Sequence, residues 1–375
     1  MVKKFCILLF MIACSATIYY NGLDNNTSKM LAMACFGVLF LFAVFDQIKR
    51  HQLLSLFKRW LAWIILAMTV NMLYGLPANS ILEIAFPLVV AFESYQLLDI
   101  PRNQWSVFFL PLCVFSSVCA VWSVLYGLGS LSIAEYYDSD IAKNQIGAAF
   151  TTFAIISAMF VVEEKRLLLK ILFTVASIVN LYPALFFTCR TALLCYAIVV
   201  CFILFRVYGW RGFIVIPIIV LVVVCMGGSK LGNLLYESIV GTRDIYDVDD
   251  ISSGRVTYAK ISLDYFLEHP FFGYYGAMDG SNMPPNAHIF LLYRLTKWGL
   301  LGSIPFLVLY FSVIKIFFKS IKHREVLVMG TLFLALMESF SEYSPPFGPG
   351  SCFIPVFMII GMYLRLKNID NNKYL

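Results

Sequence analysis

Charged residues are scarce in this chain of 375 residues: Asp, Glu, Lys and Arg make up 13% of it, about half of the roughly 25% that soluble domains carry. Hydrophobic residues make up 61%, and the mean hydropathy is +0.82. This composition excludes a soluble enzyme, a nucleic-acid-binding protein and a disordered chain. The remaining class is a protein whose solvent is the lipid bilayer.

Motifs for disulfides, metals and nucleotides are also lacking. The ten cysteines form no C-x-x-C pair, and nearly all lie inside apolar runs, so we interpret them as small hydrophobic residues. Neither G-x-x-x-x-G-K-S/T nor G-x-G-x-x-G occurs, which excludes the common nucleotide-binding loops. Any chemistry must therefore use substrates carried by the membrane.

Long apolar runs predict about twelve transmembrane helices, since a hydrocarbon core of about 30 Å is crossed by roughly 20 apolar residues. The runs lie near residues 5–21, 30–46, 60–76, 81–98, 105–128, 145–162, 168–187, 191–208, 212–226, 298–318, 325–340 and 351–366. The predicted fold class is an all-α polytopic membrane protein. Its parts are helices 1–9 in residues 1–226, a large loop in 227–297, and helices 10–12 with a tail in 298–375.

Lysine and arginine are concentrated in alternate connections. Of the 28 basic residues, 19 lie in the set of connections that includes both termini, and nine lie in the other set, six of them in the long loop. Because basic residues favour the cytoplasmic side of short loops, both termini are predicted to be cytoplasmic and the loop extracytoplasmic. A long loop in a chain of short connections is typically functional, so we expect the chemistry on the outer face.

Arg190 lies in the short link between two predicted spans, on the sparsely basic side. It is predicted to open the next helix, where the backbone dipole is already positive and a cation is unfavourable unless an anion binds. We therefore interpret Arg190 as an anion-binding residue, with Thr191 beside it in the substrate site. The alternative is an arginine that extends to the outer lipid headgroups.

A second arginine lies in an amphipathic segment of the long loop. Apolar residues recur at helical spacing, namely Val256, Ala259, Leu263, Phe266 and Leu267. His269-Pro270 is predicted to end this helix, which we expect to lie along the outer surface with Arg255 in its first turn. Two guanidinium groups at helix starts suit a phosphate or pyrophosphate. The alternative for Arg255 is a salt bridge to an acidic loop residue.

A histidine and two glutamates complete the candidate site. His288 begins the segment that returns the chain to the membrane, and it suits a general base or a donor to phosphate; a plain interfacial histidine is the alternative. Glu338 and Glu342 share one face if they are helical. Either suits sugar hydroxyls or an arginine, and a structural ion pair is the alternative. Arg294, in the segment that His288 begins, is also assigned to substrate binding.

Three motifs resemble, in this order, those of the bacterial O-antigen ligase and polymerase superfamily: Arg190-Thr191 at a helix start, Gly254-Arg255 leading to His269-Pro270…Gly273…Gly276, and His288 followed by Gly299…Gly302. The family patterns are S-R-(S/T), G-R…(E/N)-(N/H/S)-P-x-x-G-x-G and H-N-x-x-(L/I)…G-(L/I)-x-G. Here Cys189 replaces the serine and Ile289 the asparagine. Asn286 is a candidate replacement for the missing amide.

The resemblance implies a glycosyltransferase with a GT-C-like membrane fold in the bacterial inner membrane, without metal or cofactor. Arg190 and Arg255 would hold the pyrophosphate of an undecaprenyl-pyrophosphate-linked oligosaccharide, and His288 would activate the acceptor hydroxyl or hold the phosphate. We expect a Wzy-type polymerase with a possible chain-length regulator as its membrane-protein partner. The alternatives are a WaaL-type ligase, which transfers the glycan to lipid A-core, and a lipid-linked oligosaccharide flippase. No nucleic acid is expected as a partner.

Overall fold

A computed structural model describes residues 2–23, 26–50, 55–73, 79–127, 143–187, 189–209, 254–274, 287–323, 325–342, 346–347 and 353–372. Within these ranges the chain forms α-helices without strands. The helices are α1 (Val2–Leu23), α2 (Asn26–Arg50), α3 (Ser55–Leu73), α4 (Asn79–Leu97), α5 (Trp105–Trp122), α6 (Lys143–Glu163), α7 (Leu167–Phe186), α8 (Arg190–Tyr208), α9 (Arg255–Glu268), α10 (Phe290–Lys322), α11 (Val326–Glu338) and α12 (Ile354–Asn372).

Seven helical stretches of the described residues are long and apolar enough to cross a membrane: Val2–Asn21, Asn26–Lys49, Arg102–Leu125, Ile146–Glu163, Leu167–Phe186, Arg190–Tyr208 and Phe290–Lys322. The chain is therefore an all-α polytopic membrane protein, as predicted. A described helix overlaps every predicted span except 212–226, which lies outside the described residues. The total of twelve spans stays a prediction.

Helix α6 lies at the centre of one half of the bundle. It packs most extensively against α7 and also contacts α5, α8 and α11. A glycine permits the approach of α11, because a Cβ added to Gly330 would meet side-chain atoms of Val199 in α8 at 2.9 Å and of Ile155 in α6 at 3.3 Å. Small residues at such crossings let membrane helices approach one another closely. The three helices α6, α8 and α11 thus form a tight core.

Helix α10 is folded back on itself at Gly299, whose backbone has φ 64° and ψ −174°. The ring of Phe290 stacks on Tyr310 with centroids 5.3 Å apart, and Trp298 meets Phe306 edge-on at 4.4 Å. In a straight helix, positions 290 and 310 would lie about 30 Å apart. The element therefore consists of a short arm, α10a (residues 290–298), packed alongside a long arm, α10b (residues 300–322).

The fold-back is secured by the loop after α9. The N–H of Leu300 donates to the carbonyl of Pro270 at 2.8 Å, and the N–H of Leu301 donates to that of Phe271 at 3.1 Å. These bonds satisfy amide groups that the break in α10 would otherwise leave unpaired. Gly273 and Gly299 approach so closely that a Cβ on either would overlap the other's backbone. We call this contact of residues 270–273 with residues 299–301 the clasp.

Of the predicted loop 227–297, the structure describes residues 254–274 and 287–297. The former holds α9, which ends at Glu268 before His269-Pro270, as predicted. The predicted apolar stripe is largely turned away from the protein, since Leu263 is 45% and Leu267 63% exposed. On the opposite side, Ser262 is fully buried, and its carbonyl accepts a hydrogen bond of 2.9 Å from the hydroxyl of Thr296 in α10a. Helix α9 thus packs along α10a.

Candidate active site

Glu342 lies at the centre of a polar cluster near the end of α11. Its side chain is 8% exposed. Oε1 accepts hydrogen bonds from Nη2 of Arg255 at 3.0 Å and from Nδ2 of Asn144 at 2.6 Å, while Oε2 lies 3.6 Å from Nδ1 of His288. The carboxylate therefore joins three segments that are far apart in the sequence.

Arg255 reaches this carboxylate because Gly254 starts the helix that carries it. Gly254 is the N-cap of α9 and has φ 75°, a left-handed conformation that glycine adopts without strain. Arg255 is the first residue of the helix, as predicted, and its side chain is 28% exposed. A guanidinium has five N–H donors in a planar fork, so the bond to Glu342 leaves most of its donor capacity for other acceptors.

His288 is held beside Glu342 by the start of α10a. The N–H of Phe290, two residues later, donates to the carbonyl of Ser339 at 2.9 Å, and the hydroxyls of Ser339 and Tyr310 lie 2.7 Å apart. These bonds fix the His288 segment to the loop after α11. The ring of Tyr258, one turn into α9, lies 6.1 Å from the imidazole ring. The arrangement turns Nδ1 toward a carboxylate and resembles the pairing that orients a histidine base.

The electrostatics of the cluster keep Glu342 ionised. Burial alone would raise the pKa of Glu342, but the nearby imidazole of His288, the hydrogen bond from Asn144 and the charge of Arg255 outweigh it, so the pKa lies below its ordinary value of 4.5. A buried carboxylate is stable only when it is paired or hydrogen-bonded in this way. Its negative charge can then stabilise a positive charge on His288.

Asn144 is a member of the cluster that the sequence did not indicate. It is the second residue of α6, and 198 positions separate it from Glu342. An asparagine in the first turn of a helix is common because its side chain satisfies local backbone groups, so nothing in the sequence marked this one. The structure shows its amide bound to the carboxylate that also binds Arg255.

Arg190 begins α8, as predicted, and the turn before it packs against the same end of α6. A Cβ on Gly147 would overlap Sγ of Cys189, so the Arg190 turn lies against α6 one turn from Asn144. Cys189 is 2% exposed and its N–H donates to the carbonyl of Ala184 at 2.8 Å. Arg190 and Thr191 are both half-buried. We call this region, where α6 and α8 begin and α7 and α11 end, the Arg190 end of the bundle.

Glu338 precedes Glu342 by about one helical turn. It is the last residue of α11 and is 2% exposed. The hydroxyl of Ser341 donates to its Oε2 at 3.0 Å, and the N–H of Glu342 donates to its carbonyl at 2.8 Å. The turn continues the helical spacing, so the two glutamates lie close together, and Arg255 is within electrostatic range of both.

Arg294, whose assignment to substrate binding stays a prediction, is surrounded by aromatic rings. It is 2% exposed, and its guanidinium carbon lies 5.0 to 5.8 Å from the ring centroids of Phe290, Tyr293, Trp298 and Phe306. These are the distances of cation–π contacts. The structure thus places Arg294 between the two arms of α10. Asn286 lies outside the described residues, and its assignment stays a prediction.

A comparison with protein families agrees with the resemblance. The family model Wzy_C, described as O-antigen ligase, matches residues 184–307, about one third of the chain, and this stretch includes Arg190, Arg255 and His288. No curated protein matches the chain. Residues 184–307 thus match the O-antigen ligase family model, and this match supports the similarity of this multi-pass membrane protein to the O-antigen ligase and polymerase superfamily, a group of membrane glycosyltransferase-like enzymes.

Proposed function

We propose that the chain is an O-antigen polymerase. It transfers a growing glycan from undecaprenyl pyrophosphate to the next lipid-linked repeat unit on the periplasmic face of the bacterial inner membrane, with both termini in the cytoplasm. The observation that carries the proposal is the cluster in which one buried carboxylate, Glu342, binds Arg255 and approaches His288. This cluster lies at the Arg190 end of the bundle and combines groups suited to an anionic leaving group and to proton transfer.

The reaction needs a base and a site for the leaving group. A hydroxyl oxygen of the acceptor sugar attacks the anomeric carbon of the donor, and a new C–O bond forms as the bond from that carbon to the phosphate oxygen breaks. Nε2 of His288 takes the hydroxyl proton, while Glu342 faces Nδ1 and stabilises the imidazolium. Undecaprenyl pyrophosphate leaves with the electrons of the broken bond.

The arginines stabilise the charge that develops on this leaving group. Arg255 has N–H donors beyond the one that Glu342 accepts, and Arg190 opens α8, where the helix dipole adds to its positive charge. Glu342 holds Arg255 in place and partly neutralises it, so that the guanidinium need not be fully solvated before the donor binds. Asn144 supplies an amide group on the α6 side of the site. We assign Thr191 and Glu338 to the same donor and acceptor pocket.

The test is elongation by the purified protein. Lipid-linked repeat units are incubated with the protein in detergent, where no separate compartments exist, and the products are separated by length. Products of two or more repeats support the proposal and exclude a pure flippase. Glu342→Gln serves as the matched inactive control, since it keeps the shape of the side chain. Failure of well-folded wild-type protein to join repeats would refute polymerase activity.

The second candidate is an O-antigen ligase, which would move the same donor glycan onto lipid A-core. It is favoured by the description of the matching family model, O-antigen ligase. A deletion strain separates the two functions. Loss of a polymerase leaves core capped with one repeat unit, whereas loss of a ligase leaves bare core. Bare core in the deletion strain would replace our first proposal with the second.

A further inference from the structure

A row of exposed apolar side chains runs along α9 and onto the loop that follows it. It consists of Leu263, Leu267, Phe271 and Phe272, which are 45 to 63% exposed, and we call it the Phe271 ridge. A second row lies beside it on α9, made of the exposed charged residues Lys260, Asp264 and Glu268. A helix with adjacent apolar and charged stripes is typical of a helix that lies at a membrane surface.

The clasp joins the ridge to the lipid-facing surface of the bundle. Phe271 is bound through its carbonyl to the N–H of Leu301, and Leu300, Leu301 and Ile304 of α10b are themselves 40 to 49% exposed. Since α10b is part of a stretch long and apolar enough to cross a membrane, we expect its exposed apolar residues to face lipid. The ridge is continuous with that surface.

The depth of the ridge in the membrane follows from the lengths of the helices. The opposite end of the bundle is marked by Arg102, which lies 2.7 Å from Glu163 and 4.0 Å from Glu325. From Lys322, near that level, α10b rises about 33 Å to Leu300 at about 1.5 Å per residue. This rise is close to the hydrocarbon thickness of about 30 Å, so the clasp lies at the far boundary of the hydrocarbon layer.

The active-site cluster lies at nearly the same height. Helix α6 rises about 29 Å from Glu163 to Asn144, and Asn144 binds Glu342. The cluster and the clasp therefore lie within about one helical turn of each other in depth. At this level a polyprenyl diphosphate in the same leaflet would present its phosphates.

We propose that the Phe271 ridge is a lipid-binding surface that inserts into the leaflet at the Arg190 end and anchors α9 in the membrane interface. We assign the ridge to a lipid surface for two reasons. The ridge continues the apolar face of α10b, which we expect to contact lipid, and a charged stripe suited to the headgroup region lies beside it on α9. The anchor holds α9 at a set depth, and with it Arg255. The insertion does not depend on the enzyme's reaction; its benefit for binding a lipid-linked donor rests on the function proposed above.

Depth is measured with a fluorescent amino acid introduced at position 272 of the full chain, in nanodiscs. We expect strong quenching by phospholipids brominated near the top of the acyl chain and weak quenching by iodide. The same amino acid at position 268, on the charged stripe, is the matched control and should show the opposite pattern. Strong iodide quenching at both positions would overturn the proposal. Protection from both quenchers at position 272 would show that a protein covers the ridge, which would also overturn it.

A second measurement tests the consequence for catalysis. Phe271→Ser combined with Phe272→Ser should leave elongation in detergent unchanged and lower it at least fivefold in nanodiscs relative to wild type. Equal activity of this variant and wild type in both settings would remove the link between the anchor and donor binding. The quenching result needs no enzymatic activity, so it holds or fails separately from the proposed reaction.

Discussion

Arg255 and Glu342 form an ion pair of 3.0 Å across 87 residues of sequence. The first opens the amphipathic helix α9, and the second follows α11. The pair connects the two stretches of chain that lie on either side of the folded-back α10. Each side chain stabilises the position of the other, so substitution of either one tests the candidate site.

Arg255→Ala should reduce transfer about 100- to 1000-fold, because it removes a cation expected to stabilise the leaving group. Arg255→Lys keeps the charge but not the planar fork, so it should also be impaired, though less severely. The measurement is the elongation rate of purified variants. Lys260→Ala is the control, since Lys260 lies exposed on the same helix and should be dispensable. Normal transfer by Arg255→Ala would remove this residue from the site.

Glu342→Gln should lower thermal stability by an amount that depends on pH. Because the pKa of Glu342 in the folded protein is below its ordinary value of 4.5, its ionised form stabilises the fold above that value, and this contribution is lost as the pH falls through the folded-state pKa. The difference in Tm between wild type and variant should therefore be constant from about pH 6 to pH 8 and shrink below about pH 4.5. A difference that grows on acidification would mean that the pKa is raised instead.

Gly299→Ala should destabilise the protein more than Gly209→Ala. Both glycines have a backbone conformation that only glycine adopts readily, with φ near +60°, and the strain of an alanine there is about 1 to 3 kcal/mol. Around Gly209 no atom lies within 4 Å of an added Cβ, whereas at Gly299 the Cβ would overlap the carbonyl of Phe271. The difference between the two losses in Tm therefore measures how much the close packing in the clasp contributes to stability. Equal losses for the two variants would show that the clasp relaxes without cost.

Gly147→Ala should impair transfer by displacing the turn that carries Arg190. The added Cβ would overlap Cys189, and Cys189→Gly in the same chain should restore much of the activity, because it removes the overlapping side chain. Gly37→Ala is the control, since no atom lies within 4 Å of a Cβ there. Unimpaired transfer by Gly147→Ala, or a double variant no better than the single one, would separate the Arg190 turn from the activity.

The positions of the helices could be predicted from the sequence because hydropathy and helix signals are local properties. The start of α8 at Arg190 and the end of α9 before His269 follow from residues within one turn. The acidic partner of Arg255 could not be predicted from the sequence. Glu342 was recognised as a possible partner for an arginine, but so were the acids of the loop, and local spacing does not choose between them.

The parts that sequence reasoning missed depend on long-range contacts. The fold-back at Gly299 depends on carbonyl groups of Pro270 and Phe271, and the pattern around Gly299 reads as one continuous apolar helix. The ring contacts of Arg294 were also missed, although the aromatic residues four positions to either side, Phe290 and Trp298, indicated them. Its assignment to substrate binding stays a prediction.

The clasp also determines where this chain tolerates change. The backbones at Gly273 and Gly299 leave no room for a Cβ on either residue, so every side chain larger than hydrogen is excluded at these two positions. The exposed charged positions of α9, such as Lys260, carry no such restriction. A library of variants of this chain should therefore diversify exposed charged positions first and keep Gly273 and Gly299 invariant.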